Sequence, residues 1–466
     1  MDKRTLKRAI KYCLRDARIT YKTAKFLHET YSQYGLTPKS TLPATALAIW
    51  KTRFWKREIE LPADEIVELA REAYFGGRTE AFSLGEYSNV SVIDVASMYP
   101  WAMVAGDMPL PWGDFERVRR NDKILPNGIY RASCESEIPI PVLPVKVDGR
   151  LVFPNGRFEG TFVGEEIQYA VSIGVRVNVH SGIVFSDSCR PFDDYVSSFF
   201  AAKNAARGAE RVMYKLLLTS LYGKYGQRGE HTECMRVEDF RDLKEPPEDF
   251  RMWNGLVLFE ESGEIPPWGN VVWSAIITAR GRIRLHKEIN RLLQKGARPL
   301  YCDTDSIMYL ANRARVRYPK RVREAGLFEA RGTYRKLLIV GKKEYGLQGN
   351  DGKWEFQCKG VPWGAREDYI RTGKATYVKP TKLKESTRTK HSANVWKSVT
   401  KTRRVSFAGR EHRPDGSLAP VAIRDGVLIE SGKIKGGTNG KESGRKGARS
   451  QASHTGKGRR TEVGKG

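Results

Sequence analysis

Two aspartates whose spacing suits metal chemistry lie on either side of position 304. Asp303 and Asp305 stand between an apolar segment that ends at Tyr301 and another that begins at Ile307. Two residues apart on a strand or at the tip of a hairpin, their side chains project to the same side. Like charges this close repel each other, and a divalent cation would neutralise them. From this segment alone a surface turn is the alternative, because aspartate and threonine favour turns.

A third aspartate ends another apolar segment. Residues 91–95 predict a strand that delivers Asp94 near its end, and Pro100 terminates the turn that follows. A charge at the end of a buried strand is costly unless it is paired or coordinated, which favours a functional role. Carboxylate oxygens in small number suit Mg²⁺ in phosphoryl or nucleotidyl transfer, because the ion keeps positions for water and substrate phosphates.

Basic side chains recur every four residues between 192 and 226, a region predicted to be helical. They form one continuous stripe that ends in a threonine: Lys203, Arg207, Arg211, Lys215 and Thr219. Like charges at this spacing destabilise an isolated helix by about 0.2–0.5 kcal/mol per pair. An anionic partner such as a nucleoside triphosphate would relieve the repulsion, and a solvated basic face is the alternative. Tyr222 lies about two turns beyond Lys215.

Lysines and an aromatic residue end a later strand. Residues 337–340 lead directly to Lys342, Lys343 and Tyr345. Ammonium groups beside an aromatic ring suit contacts with nucleic-acid phosphates, and a solvated lysine pair is the alternative.

Periodicity predicts the elements that position these residues. A basic helix spans 1–33, another helix spans 41–54, and a third begins at 62–64 and ends at Tyr74. Gly76 and Gly77 follow, either as a helix cap or as a place where backbone approaches a ligand closely. Residues 105–190 alternate short strands with turns. A helix over 271–293 is expected to pack beneath the strand that bears Asp303.

Composition indicates a folded, basic protein. The 466 residues include 81 Lys and Arg against 54 Asp and Glu, a net charge of +27 that favours a nucleic-acid partner. No apolar segment reaches the roughly 18 residues of a membrane span, and the N-terminus lacks a signal sequence, so a cytoplasmic location is expected, with no membrane partner. Six scattered cysteines without a CxxC pair argue against a zinc site or a disulfide framework.

Taken in order, these segments resemble the polymerase motifs of family B DNA polymerases. Residues 74–77 are similar to YxGG, 94–100 to DxxSLYP, 215–223 to KxxxNSxYG, 301–306 to YxDTDS and 342–345 to KKxY. Three positions depart from the patterns: Thr219 replaces Asn, Cys302 replaces Gly, and Trp101 replaces a small residue. None of the departures removes a carboxylate.

The resemblance implies a site for nucleotidyl transfer with two Mg²⁺ ions, or Mn²⁺ in their place. The implied catalytic and metal-binding groups are Asp94, Asp303, Asp305 and the carbonyl of Val95. The implied contacts with the deoxynucleotide are Val95, Tyr99, Lys203, Arg211, Lys215, Thr219 and Tyr222. The implied contacts with primer-template DNA are Tyr74, Gly76, Gly77, Lys342, Lys343 and Tyr345.

The resemblance also implies an α/β (α+β) fold, a right-hand polymerase with an antiparallel palm and helical fingers. The expected regions are the end of an exonuclease-like domain (1–60), palm (61–194), fingers (195–226), palm (227–345), thumb (346–430) and a disordered basic tail (431–466). The spacing is similar to the protein-primed branch of phages and mobile elements, with insertions at 105–190 and 228–268. This branch implies a terminal protein primer as a partner.

The N-terminal segment limits the expected activities. Tyr12 and Asp16 resemble the last exonuclease motif, YxxxD, but eleven residues precede Tyr12, too few for the other exonuclease motifs. A DNA-directed DNA polymerase without its own 3′–5′ proofreading is therefore predicted. Three explanations stay open: the exonuclease was lost, it is a separate polypeptide and so an additional partner, or this reading frame begins internally. The alternative is a catalytically inactive nucleic-acid-binding remnant or one subunit of a split polymerase.

Overall fold

The computed structural model describes residues 3–39, 41–59, 62–105, 108–119, 123–147, 149–243, 247, 250–253, 255–262, 266–311, 316–380, 396–403, 410–412, 418–424, 427–430 and 433–435. Their α-helices are Lys3–Ser32 (α1), Leu42–Ile49 (α2), Asp64–Ala73 (α3), Met98–Met103 (α4), Gly164–Ser172 (α5), Asp193–Ala205 (α6), Gly208–Ser220 (α7), Tyr222–Tyr225 (α8), Val237–Arg241 (α9), Val271–Gln294 (α10) and Arg366–Thr372 (α11). A π-helix, Trp50–Phe54, continues α2, and a 3₁₀ helix, Trp363–Ala365, precedes α11.

A central antiparallel sheet carries the aspartates. Its seven strands lie in the spatial order Thr79–Ala81 (β1), Arg298–Asp303 (β12), Ser306–Leu310 (β13), Gly85–Val95 (β2), Phe328–Gly341 (β14), Glu344–Gln348 (β15) and Trp354–Cys358 (β16). Consecutive buried residues in β2 occur only toward its C-terminal end. The strand therefore enters the protein core just before Asp94.

Helix α10 packs against one face of this sheet. Leu285, Ile289 and Leu292 of the helix share a buried cluster with Cys302 and Ile307 of the hairpin β12–β13. The predicted packing of the 271–293 helix beneath this hairpin is confirmed. Since all five side chains are buried, the cluster fixes the hairpin on the helix.

The region 192–226 differs from the prediction of one basic stripe. Helix α6 ends at Ala205, Arg207 is extended, and Gly208 begins α7 with φ +56°. The expected continuous stripe is wrong because the chain turns between the two helices. Lys203 therefore belongs to α6, while Arg211 and Lys215 belong to α7.

An aromatic cluster joins these helices to α10. The rings of Trp50, Phe192, Tyr225 and Trp273 have neighbouring centroids 5.2–5.6 Å apart. All four side chains are fully buried. Aromatic pairs at such distances each contribute about 0.5–1.5 kcal/mol beyond their burial, so the cluster fixes α6 and α8 against α10.

A second sheet is built from the 105–190 region and the C-terminal residues. Its strands lie in the order Lys433–Lys435 (β23), Val427–Glu430 (β22), Ala422–Arg424 (β21), Asn155–Val163 (β7), Gly128–Ser136 (β4), Arg176–Cys189 (β8) and Leu110–Val118 (β3). Only the contact between β21 and β7 is parallel among the described pairs of this sheet. The chain thus returns from the expected thumb region to the 105–190 region.

The remaining strands form small sheets. They are Phe250–Trp253 (β10), Leu256–Ser262 (β11) and Glu230–Arg236 (β9); Lys374–Pro380 (β17) with Trp396–Thr402 (β18); Arg410–His412 (β19) with Leu418–Pro420 (β20); and Val145–Val147 (β5) with Arg150–Val152 (β6). Residues 436–466, most of the predicted disordered tail, lie outside the described residues. No helix among the described residues is both long and apolar enough to cross a membrane.

Candidate active site

Three neighbouring strands and one tight turn bring Asp94 and Asp305 together. Asp94 lies on β2 opposite Ser306 of β13 and opposite Glu329 of β14. The turn between β12 and β13 carries Asp305, whose carbonyl accepts a hydrogen bond of 2.8 Å from the amide of Val95. This bond joins the ends of two segments that are 210 residues apart in the chain.

Both carboxylates are desolvated, and their hydrogen bonds and ion pairs do not fully offset the cost of burying the charge. Desolvation raises the pKa of Asp94, whose Oδ1 is buried and has no hydrogen-bond partner among the described residues. Desolvation and then the negative charge of Asp94 raise the pKa of Asp305 from 3.8 to about 6. Two acids that disfavour each other's ionised form, one with an orphaned oxygen, suit a cation.

The third predicted ligand, Asp303, has protein partners. Its Oδ1 accepts from the hydroxyl of Thr79 at 2.8 Å and of Thr304 at 3.2 Å, and lies 3.3 Å from Nζ of Lys343. Within the described residues, no group of three or more His, Cys, Asp or Glu side chains is arranged to hold a metal ion. A cation at Asp94 and Asp305 would therefore take further oxygens from water or substrate, as Mg²⁺ ordinarily does.

Backbone strain is concentrated around these groups. Among the described residues, four non-glycine residues have positive φ, and three of them lie here: Ser97 (54°), Thr304 (58°) and Lys343 (59°). The left-handed conformation is sparsely populated by such residues and persists where the surroundings enforce it. The amide of Thr304 donates to the carbonyl of Arg78 at 2.7 Å, which helps to hold the turn.

Helices α6 and α7 supply the positive charge. Lys203 is 7% exposed, donates to the hydroxyl of Ser97 at 2.9 Å and lies 3.9 Å from the centroid of the Phe200 ring. Desolvation and then the nearby Arg211 lower the pKa of Lys203 to about 8. The charge of Lys215 contributes to the pKa shifts of both Lys203 and Asp94, so the structure brings these groups together.

Two side chains of α7 that were predicted to contact the deoxynucleotide, Arg211 and Thr219, make hydrogen bonds within the protein. Arg211 donates to the carbonyl of Lys203 at 2.7 Å and so links α7 to the end of α6. The hydroxyl of Thr219 donates to the carbonyl of Lys215 at 2.9 Å, within its own helix.

Two tyrosines stack beside the carboxylates. The rings of Tyr99 and Tyr222 are 4.2 Å apart with planes 28° from parallel. The predicted 74–77 segment lies close to this pair: Gly77 contacts Tyr99, and Tyr74 lies against Gly226, four residues after Tyr222. The glycine motif therefore lies next to the tyrosine pair.

Alanine at Gly77 is expected to destabilise the protein, whereas alanine at Gly76 is not. A Cβ at position 77 would lie 2.8 Å from the hydroxyl of Tyr99 and 2.9 Å from Cγ2 of Thr304. At position 76 no heavy atom of the described residues lies within 4 Å. Overpacking of this kind costs about 1–3 kcal/mol. Denaturant unfolding of both variants measures the difference, and an equal effect at the two positions would contradict it.

The hairpin formed by β14 and β15 reaches Asp303. Lys342 and Lys343 form the turn between β14 and β15, and the amide of Lys343 donates to the hydroxyl of Tyr301 at 2.9 Å. The rings of Tyr301 and Tyr345 are 5.1 Å apart. Desolvation lowers the pKa of Lys342. The predicted 342–345 segment is thus attached to the strand that ends in Asp303.

Sequence reasoning missed two arginines that hold the site together. Arg331 of β14 donates to Oδ2 of Asp94. Arg282 of α10 pairs with buried Glu166 and donates to the carbonyls of Phe75 and Gly76 at 2.7 and 3.1 Å. A charge inside the apolar pattern of the 271–293 helix was the available signal for Arg282, because a buried charge requires partners.

Comparisons with known proteins identify the family of this chain. The family model of DNA polymerase type B, organellar and viral, matches residues 2–248. The DNA-directed DNA polymerase of Enterobacteria phage PRD1 is 29% identical over 306 residues, covering 63% of this chain and 53% of that protein. A probable DNA polymerase of Neurospora intermedia is 28% identical over 248 residues, covering 49% and 25%.

A solved structure has the same fold. Phi29 DNA polymerase, complexed with primer-template DNA and incoming nucleotide substrates, matches with a TM-score of 0.62 at 18% identity, over 79% of this chain and 68% of that chain. The chain spans between a quarter and about half the length of the two curated relatives. The predicted α/β fold and the resemblance to family B are confirmed. Because the family model covers more than half of it, the chain belongs to the organellar and viral type B DNA polymerases.

Proposed function

We propose that this chain is a DNA-directed DNA polymerase that adds deoxynucleotides to a primer 3′-hydroxyl by two-metal-ion catalysis. The observation that carries the proposal is the convergence of Asp94 and Asp305, with a buried oxygen on Asp94 that no described residue hydrogen-bonds. The charges of Arg331 and Lys215 act on Asp94, and Nζ of Lys343 in the 342–345 hairpin lies 3.3 Å from Asp303. Transfer of a nucleotide from a triphosphate to a primer end requires carboxylates that hold the metal ions and positive side chains that bind the phosphates.

Asp94, Asp305 and the carbonyl of Val95 would hold two Mg²⁺ ions, with Mn²⁺ as a substitute. When bound, the ions supply Lewis acidity that lowers the pKa of the primer hydroxyl and neutralises charge on the phosphates. Asp303, through Thr79 and Lys343, orients the turn that presents Asp305.

Lys203, Arg211 and Lys215 are proposed to bind the triphosphate. Lys203 is preorganised by its hydrogen bond to Ser97 and keeps its charge at neutral pH, because its pKa of about 8 lies above 7. Arg211 holds α6 and α7 together through the Lys203 carbonyl. Thr219, with its hydroxyl directed into its own helix, is proposed to support Lys215.

The tyrosine pair is proposed to select the sugar. Tyr99, held by Gly77 on one side and Tyr222 on the other, would close the space at the 2′ position and exclude ribonucleotides. Tyr222 would lie next to the nascent base pair.

Primer-template DNA is proposed to contact Tyr74 and Gly76 and the hairpin with Lys342, Lys343 and Tyr345. Phosphate contacts by lysines weaken with salt, so the DNA affinity of the chain should fall as salt rises. A terminal protein primer and a separate exonuclease polypeptide stay predictions of the resemblance. Host-cell cytoplasm is the proposed location.

We propose further that this chain does not trim 3′ ends. Of the exonuclease motifs only YxxxD is resembled, by Tyr12 and Asp16, and the Tyr12 side chain is 66% exposed on α1.

Primer extension tests the proposed activity. Wild-type protein, a primed single-stranded template, Mg²⁺ and four deoxynucleotides should give extended products, with none in EDTA. Omitting the nucleotides on the same gel scores 3′ trimming, and shortened primers would contradict its proposed absence. DNA binding without extension would instead favour a catalytically inactive remnant or one subunit of a split polymerase.

Cation binding should weaken below pH 6. Asp305 binds a cation only when ionised, and its pKa of about 6 means that a proton competes below that value. Mn²⁺ affinity at pH 5 should be about tenfold lower than at pH 7.5. Because the folded-state pKa is raised, protonation of Asp305 favours the folded protein, and this contribution to stability is lost as pH rises through about 6. Mn²⁺ titrations at both pH values measure the affinity, and equal affinity would contradict the assignment of Asp305.

A further inference from the structure

Arg331 lies in the site because of a bulge in β14. Pairing of β14 with β2 shifts between Ala330 and Gly332, so Arg331 is the extra residue, and Gly332 has φ +142°. Bulges re-aim side chains, and they are over-represented next to active sites. Here the bulge directs the guanidinium toward the end of β2.

The guanidinium of Arg331 is hydrogen-bonded to the carboxylate oxygen of Asp94 that a cation would bind. Its Nε donates to Oδ2 of Asp94 at 2.8 Å, and a terminal nitrogen donates to the same oxygen. The Asp94 side chain is 14% exposed, while that of Arg331 is 49% exposed. Arginine does not lose its proton in proteins, so it cannot yield its place by becoming neutral. A cation that binds Oδ2 must displace the side chain.

A second carboxylate is available to the displaced arginine. Glu329 lies opposite Asp94 across the β14–β2 pair, and its Oε1 is 3.7 Å from a terminal nitrogen of Arg331. Leaving Asp94 therefore does not leave the guanidinium without a counter-charge. The two acids provide alternative partners for one cationic side chain.

We propose that Arg331 competes with the divalent cation for Asp94, holding the carboxylate until the cation displaces the guanidinium onto Glu329. The inference rests on the proposed two-metal function and names what controls cation affinity at that site. Arg331 is a positioning residue, since it acts on the reaction through Asp94.

Mn²⁺ binding without DNA or nucleotide tests this competition. Electron paramagnetic resonance of free Mn²⁺ gives the affinity of wild type, Arg331→Gln, Arg331→Lys and Glu329→Gln. Removing the competitor should raise the affinity of Arg331→Gln about tenfold, a typical size for coupling between two binding events. Arg331→Lys keeps the charge but loses the planar fork, so its Mn²⁺ affinity should lie between those of wild type and Arg331→Gln. Glu329→Gln removes the alternative partner and should lower the affinity.

Two controls separate this inference from the proposed function. Arg335→Gln makes the same charge change at an exposed position of the same strand and should leave the affinity within about twofold. Asp94→Asn should abolish the site in every background. Unchanged or weaker Mn²⁺ binding by Arg331→Gln, at a site that Asp94→Asn abolishes, would overturn the role of Arg331 alone. Mn²⁺ binding that is insensitive to Asp94→Asn would overturn the proposed metal site together with this inference.

Thermal unfolding provides a readout independent of affinity. In EDTA, Arg331→Gln should melt below wild type because Asp94 loses its only charged partner among the described ion pairs. Mn²⁺ should raise the melting temperature of Arg331→Gln more than that of wild type. An equal Mn²⁺-induced increase in the two proteins would contradict competition.

Discussion

Asp94→Asn is expected to lower the rate of single-nucleotide incorporation by about a thousandfold or more. Asparagine keeps the shape of the side chain but removes the charge that would hold a cation opposite Asp305. Loss of metal stabilisation is worth several kcal/mol, and each 1.36 kcal/mol changes a rate about tenfold. Rapid-quench incorporation on a primed template, at saturating nucleotide, measures the change.

A matched control lies on the same strand. Glu86 of β2 is an exposed acid that pairs with Lys336, far along the strand from Asp94. Glu86→Gln removes one carboxylate charge and should leave the rate within about twofold, because exposed ion pairs contribute little. A comparable loss in both variants would indicate a general effect of charge, and an active Asp94→Asn would contradict the assignment.

Arg282→Met is expected to destabilise the protein by about 3–5 kcal/mol. The side chains of Arg282 and Glu166 are 1% and 0% exposed, with nitrogen–oxygen distances of 2.8 and 2.9 Å. Methionine would leave Glu166 buried without its cation and would free the carbonyls of Phe75 and Gly76. Denaturant unfolding measures the loss of free energy.

The double variant Arg282→Met/Glu166→Leu separates charge from backbone support. It removes the unpaired carboxylate and should recover part of the stability, while the two carbonyls stay without their donor. The exposed pair Arg117–Glu65 is the comparison, since Arg117→Met should cost less than about 1 kcal/mol. Stability of Arg282→Met within 1 kcal/mol of wild type would contradict the role of the buried pair.

Local motifs made part of this site predictable. Asp303 and Asp305 lie in one hairpin and Asp94 ends an apolar strand, so short-range patterns selected them as candidates. The order of the other motifs along the chain then favoured a metal site over a surface turn. Gly76 and Gly77 were predicted to be either a helix cap or a place of close approach to a ligand, and in the structure Gly77 lies against the side chains of Tyr99 and Thr304.

Other features depend on contacts that no local pattern contains. Arg331 reaches Asp94 through a strand register and a bulge formed 237 residues away in the chain. The stripe from Lys203 to Lys215 was predicted from spacing alone, but Gly208 and the extended Arg207 end one helix and begin the next. The return of β21–β23 to the second sheet pairs residues about 267 positions apart, beyond what periodicity can indicate.

The most direct test of whether Asp94 and Asp305 form one catalytic cation site is a count of bound Mn²⁺ ions. The count is made on the complex with dideoxy-terminated primer-template and the matching deoxynucleotide. Electron paramagnetic resonance should count two ions per chain in the wild type, as a two-metal mechanism requires. Asp305→Asn should lower that number and abolish extension of an unblocked primer. An undiminished number of ions in Asp305→Asn, or extension at the wild-type rate, would contradict the central claim.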